Sequence, residues 1–130
     1  MMPNRVRYGL ARGQRLVASY LVREAFDQGR SHAGRLVVVW ERSGPGASAR
    51  LGVVTGARTF RKAVYRSRAR RLMREAFRLN RSKLRSDIDY VLIGRRGLMD
   101  CTCADLEKDL LNVARAKGLM SSAREKGDQS

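Results

Sequence analysis

Ala63-Val64-Tyr65-Arg66-Ser67-Arg68-Ala69-Arg70-Arg71-Leu72-Met73-Arg74-Glu75-Ala76-Phe77 is the stretch on which the reading of this chain turns. It lies within Phe60 to Leu84, a basic run whose one acid is Glu75, and it reads as a single helix. At 100° per residue Tyr65, Ala69, Leu72, Met73 and Ala76 gather on one side, the stripe of a helix packed against a core. Arg66, Arg70 and Arg74 are expected to form a ridge on the opposite side, with Ser67, Arg71 and Arg78 beside it. A solvated helix normally mixes Glu with its Arg, because like charges at i, i+4 repel by roughly a few tenths of a kcal/mol. Relief here must come from outside the chain, and a phosphate backbone would supply it.

Composition points to the same partner. The 130 residues hold 28 Lys and Arg against 12 acids, a formal net charge of +16 with a pI near 11.4. Such a balance favours a polyanion. Most of the bases are Arg, whose guanidinium forks onto phosphate oxygens and stacks on bases where an ammonium acts as a point charge. The charge is also uneven: Arg42 to Arg85 contains only one acid, whereas Asp100 to Asp109 is acid-rich. One face should be strongly positive and the other near neutral.

Length and a 43% hydrophobic content predict one domain with a real core, over residues 14–119. A mobile segment, 1–13, is expected before it and a disordered tail, 120–130, after it. No apolar run is long enough to span a membrane, and no signal-peptide core precedes Arg23 and Glu24. Cys101 and Cys103 sit too close for an ordinary bridge, and with a single histidine in the chain a four-ligand zinc site cannot be built from Cys and His alone. They read as unpaired thiols of a reducing cytoplasm. His32 reads as an incidental loop residue, and Asp87 and Asp89 as turn formers rather than metal ligands. No phosphate loop, HExxH or nucleophile elbow is present. Any chemistry this protein serves is expected to sit on its partner.

Along the chain the expected order is α-β-β-α-β-α. A first helix ends at Gln28, with Val17, Leu21, Val22, Ala25 and Phe26 on one face and Gly29 closing it. Arg35 to Glu41 is a β-prone run. Ser43-Gly44-Pro45-Gly46 turns it toward Leu51 to Thr55 as a hairpin partner. The basic helix follows, then a buried strand from Ile88 to Ile93. Thr102 and Asp105 form a capping box that opens a last helix, Ala104 to Lys117, with Gly118 beyond it.

The quoted stretch resembles the signature of the bacterial ribonuclease P protein subunit: Ala-Val, one residue, Arg-Asn-Arg, one residue, Lys/Arg-Arg-Leu, one residue, Arg-Glu/Gln-Ala-Phe. The resemblance runs in order from Arg15-Leu16 through Phe26 and Gly29-Arg30. It continues through the Trp40 strand, Tyr90-Val91-Leu92-Ile93, and Leu106-Glu107 to Gly118-Leu119. It implies an α/β sandwich of one central sheet with helices packed on it, whose strand–helix–strand crossover is left-handed against the general rule. It also implies a role beside a catalytic RNA that removes the 5′ leader of precursor tRNA. By the same resemblance the RNA would carry hydrolysis and its Mg²⁺, and the protein would act as a monomer within the ribonucleoprotein.

Carried over by position, Lys62, Arg66, Ser67, Arg68, Arg70, Arg71 and Arg74 would meet the catalytic RNA. Arg15, Val22, Phe26 and Trp40 would line a cleft for the single-stranded leader, where stacking tolerates any sequence. Trp40 reads equally as core or cleft. The chain departs from the pattern in three places. Ser67 replaces the usual Asn, Val22 stands where an aromatic is common, and the segment Leu51 to Lys62 is one residue longer, with Arg58-Thr59 only loosely replacing a basic pair. Three other readings compete. A ribosomal-type RNA binder shares the charge and fold class; a DNA reader would want Asn or Gln among its Arg; a stand-alone nuclease lacks an acid/base set.

Overall fold

A computed structural model of the chain describes residues 14–16 and 19–121. The expected mobile segment, most of the expected tail, and Val17 lie outside the described residues. Helix α1 spans Ser19–Gln28, strand β1 Ser31–Ala33, β2 Val37–Arg42 and β3 Leu51–Val54. Helix α2 spans Ala63–Asn80, β4 Asp89–Gly94 and helix α3 Cys103–Lys117, with short 3-10 turns at Arg81–Lys83 and Arg96–Asp100. The strands form one sheet in the order β1-β2-β4-β3.

The pleat divides this sheet into two unlike faces. Val37, Val39, Leu51, Tyr90 and Leu92 point toward α2 and α3, where they join Phe60, Met73, Phe77, Leu106 and Leu110 in the main core. Residues one step along point the other way. There Trp40, Val54 and Val91 meet Leu16, Leu21, Val22, Ala25 and Phe26 of the α1 region. The expected sandwich is therefore the sheet with α2 and α3, and α1 lies across part of the opposite face.

The hairpin expected between β2 and β3 does not form. β4 lies between them, antiparallel to β2 (Val39 opposite Leu92) and parallel to β3 (Val53 opposite Leu92). Two features favour this arrangement. β4 is buried at nearly every position and gains most from a neighbour on each side. Its first residue, Asp89, also holds both neighbours by charge. Arg42 Nη1 at the end of β2 and Arg50 Nη2 just before β3 both donate to its Oδ2 at 2.8 Å. The backbone N–H groups of Ser48 and Arg50 reach its Oδ1 at 3.1 and 2.9 Å. Burial pushes the Asp89 carboxyl up, but the Arg50 hydrogen bond and these N–H donors outweigh it, and the group lies below the usual carboxylate range. Arg42 also takes Glu24 of α1 at 2.6 Å, so one ion cluster joins α1, β2, β4 and the residue that leads into β3.

Local signals placed the other elements well. Thr102 and Asp105 form the capping box in full, and Gly118 closes α3 with φ at 73°, as Gly29 does after α1 at 72°. The basic helix is shorter than expected. It starts at Ala63 from an extended Lys62 and gives way to a 3-10 turn after Asn80. Asn80 is buried there, donating to Ala76 O and to Glu107 Oε1 of α3. An unforeseen edge strand, β1, puts His32 in the sheet instead of a loop, with its Nε2 hydrogen-bonded to the buried Glu41. Asp109 is likewise more than a surface acid. It accepts the backbone N–H groups of Arg35, Leu36 and Val37 at 3.0, 2.8 and 3.3 Å, anchoring the start of β2 to α3. Met120 and Ser121, expected in the tail, are tied down by a bridge from Met120 to Leu84 and a hydrogen bond from Ser121 N to Lys83 O.

Candidate nucleic-acid interface

Helix α2 is the scaffold of the basic surface, and its true phase differs from the sequence expectation. Its buried stripe is Ala69, Met73, Ala76, Phe77 and Asn80, while Leu72 is half-buried and Tyr65 exposed. That stripe is rotated toward Arg66, Arg70 and Arg74, which become its half-buried flank rather than its opposite side. Ser67 and Arg71 occupy the exposed back.

The seven residues carried over as RNA contacts accordingly divide. Three fasten loops to the helix. Arg66 Nη1 donates to Phe60 O at 2.8 Å and Arg61 O at 3.2 Å. Arg70 Nη1 donates to Thr55 Oγ1 at the end of β3 at 2.9 Å. Arg68 reaches the opposite flank and donates to Met99 O at 3.1 Å and Cys101 O at 3.0 Å. The side chains of Lys62, Ser67, Arg71 and Arg74 make no hydrogen bond to the described residues.

Arg74 shows how far this surface departs from a self-neutralised one. Its guanidinium is held below its usual range, first by burial and then by the nearby charges of Arg15 and Arg70. The adjacent acid does not compensate, because Glu75 turns to Arg78 at 2.7 Å. Arg15 lies in the segment running beside the edge strand β3. Arg15, Ser67, Arg71, Arg74 and Glu75 border a common concavity.

The second part of the site is the half-covered face of the sheet. Phe26 of α1 meets Trp40 of β2 edge to face, with ring centroids 5.0 Å apart at 75°. Leu16, Leu21, Ala25 and Val91 are sealed behind this pair. Val22 settles against Gly52, where an added Cβ would lie 3.4 Å from its Cγ2. Thus Val22, Phe26 and Trp40 do come together, and Trp40 packs against α1 while staying half-buried. Its indole N–H is buried and finds no hydrogen-bond partner among the described residues. The next row on the same face, Val38, Ile93 and Val54, is also half-buried. Sequence reasoning passed over these three, although they are the alternate positions of strands already recognised.

Acidic and thiol groups are largely spoken for. Asp87 pairs with Arg85 at 2.8 Å, which holds its carboxyl below the usual range. Cys101 is buried and unbridged, and burial pushes its thiol up. No cluster of three or more His, Cys, Asp or Glu suited to a metal occurs among the described residues, and none of their helices is long and apolar enough to cross a membrane.

Comparison with known proteins gives a single answer. The sequence pattern of the family described as Ribonuclease P matches residues 10–117. The ribonuclease P protein component of Pelotomaculum thermopropionicum is 36% identical over 68% of this chain and 78% of its own length. That of Alkaliphilus metalliredigens is 32% identical over 76% and 88%. Among solved structures, the RNase P protein of Thermotoga maritima superposes with a TM-score of 0.68 at 28% identity, covering 78% of this chain and 96% of that one. The Staphylococcus aureus protein, at 23% identity and a TM-score of 0.70, shares the fold over 83% of this chain and 98% of its own. A basic helix fastened by its own arginines, a half-open sheet face beside it and these matches lead to one conclusion: the chain belongs to the ribonuclease P family, as the protein component of that tRNA-processing ribonucleoprotein.

Proposed function

We propose that this protein binds the catalytic RNA of ribonuclease P through the outward donors of α2 and holds the 5′ leader of precursor tRNA in the cleft between α1 and the sheet. The observation that supports the reading is the concavity on which Arg15, Arg71 and Arg74 stand together, with Glu75 turned away to Arg78. Like charges brought together at a partly buried site repel, and a polyanion relieves the repulsion while releasing its own counterions. Lys62, Ser67, Arg71 and Arg74 meet phosphates of the catalytic RNA. Arg66, Arg68 and Arg70 act chiefly by holding the loops that shape the surface. Phe26 and Trp40 offer ring edges and faces to the unpaired leader, with Arg15 on its phosphates.

In this reading hydrolysis belongs to the RNA. The carboxylates of Asp89, Asp109 and Asp105 are occupied by Arg or by backbone N–H groups. A protein-held divalent metal does not fit that donor set, so Mg²⁺ is assigned to the RNA. The protein acts as a cytoplasmic monomer within the ribonucleoprotein.

The test is cleavage of a precursor tRNA with a 5′ leader by a bacterial-type catalytic RNA at low Mg²⁺, with and without the protein. Stimulation that also requires a leader several nucleotides long is the expected result. Tight RNA binding without stimulation would instead leave a structural RNA binder of ribosomal type.

A further inference from the structure

We propose that a basic concavity at the N-terminal end of α2 is a binding site for a single unpaired RNA nucleotide, with Tyr65 as the stacking platform. The concavity is separate from the α1 cleft. It encloses about 460 Å³ and is bordered by Arg58, Arg61, Lys62, Tyr65, Arg96 and Met99. That volume lies in the range of small-ligand sites.

Three observations point to this ligand. Tyr65 is an aromatic residue left 43% exposed on the first, exposed turn of α2, with Lys62 Nζ 5.9 Å from the ring centroid. Four cations face the concavity, no carboxylate borders it, and none of the four side chains makes a hydrogen bond or ion pair with the described residues. Most of the other described arginines do donate within the protein, among them Arg42, Arg50, Arg66, Arg68, Arg70 and Arg81. Finally, α2 begins here without a side-chain cap and without an acid in its first turn, so the positive end of the helix adds to the field.

The two walls are held by the arginines that sequence reading assigned to RNA contact. Arg66 fixes the Phe60–Arg61 backbone on one side. Arg68 grips the Arg96–Asp100 turn and Cys101 on the other. An aromatic face between fixed walls of unpaired guanidinium suits a base with its flanking phosphates. The inference rests on the ribonuclease P reading only for which RNA supplies the nucleotide.

The full-length protein would be reconstituted with a bacterial-type catalytic RNA, and Tyr65→Ala and Tyr65→Phe compared with the parent. Affinities would be measured for that RNA, for precursor tRNA and for mature tRNA. Tyr65→Ala should weaken one of these interactions by about tenfold, and Tyr65→Phe should restore it, because stacking needs only the ring. Loss confined to precursor over mature tRNA identifies a substrate nucleotide; loss against the catalytic RNA identifies one of its own. The site is refuted if Tyr65→Ala matches the parent in all three, or if Tyr65→Phe is as weak as Tyr65→Ala. A parent protein that binds none of the three RNAs would overturn the ribonuclease P reading instead.

Discussion

Arg42 and Arg50 sit against Asp89 in the interior, whereas Arg71 and Arg74 stand on α2 with no acid bonded to them among the described residues. The contrast shows how one residue type serves two ends. Inside, a single carboxylate receives two guanidinium groups and two backbone N–H groups, so its burial is matched by hydrogen bonds and it fixes the strand order. Outside, acids are withheld, and the charge remains available to a partner. The first set should govern stability and barely touch RNA. The second should do the reverse.

The largest expected effect lies in the interior set. Asp89→Ala leaves the buried Arg42 with only Glu24 as an acid and strips the half-buried Arg50 of its carboxylate, and should cost about 3–5 kcal/mol, read from urea unfolding. A loss near zero would mean that the cluster does not hold the sheet. The same carboxyl makes stability depend on pH. Its folded pKa is lowered, so its stabilisation is complete above about pH 4. It should drain away as pH falls through the unfolded value toward the folded one, and Asp89→Asn should flatten that part of the profile.

A smaller effect is expected at the cleft. Phe26→Ala should reduce the preference for precursor over mature tRNA by about 1–3 kcal/mol if the ring stacks a leader base. Equal loss for both substrates would place Phe26 in packing alone. Smaller again, Thr102→Ala removes the cap of α3 and should lower stability by about 1 kcal/mol while leaving every RNA affinity in place. A change in RNA affinity there would blur the division between the two sets.

Much of this was legible along the chain, and the reasons are local. A capping box at Thr102 and Asp105, glycines after two helices and an apolar run at β4 each depend on neighbours in sequence. Pairing does not. β2 and β3 look like a hairpin until Asp89, far along the chain, draws Arg42 and Arg50 to itself and inserts β4. β1 was missed because three residues carry almost no pattern, and His32 gains its meaning only opposite Glu41. The ridge on α2 was misplaced because Tyr65 was counted into the core while Phe77 and Asn80, which complete the buried stripe, were not. That error hid the division among the arginines, since bonds to loop carbonyls leave no mark in the sequence.

The most direct test of that division is the salt dependence of catalytic-RNA affinity for the Arg71→Ala, Arg74→Ala double variant beside Arg81→Ala. Arg81 donates to Ala49 O and Ser48 O and belongs to the folding set. The double variant should keep its unfolding midpoint and lose roughly 0.7–0.9 of log–log slope for each phosphate contact removed. Arg81→Ala should lower the midpoint and keep the slope. An unchanged slope in the double variant, or an equal loss in Arg81→Ala, would contradict the account.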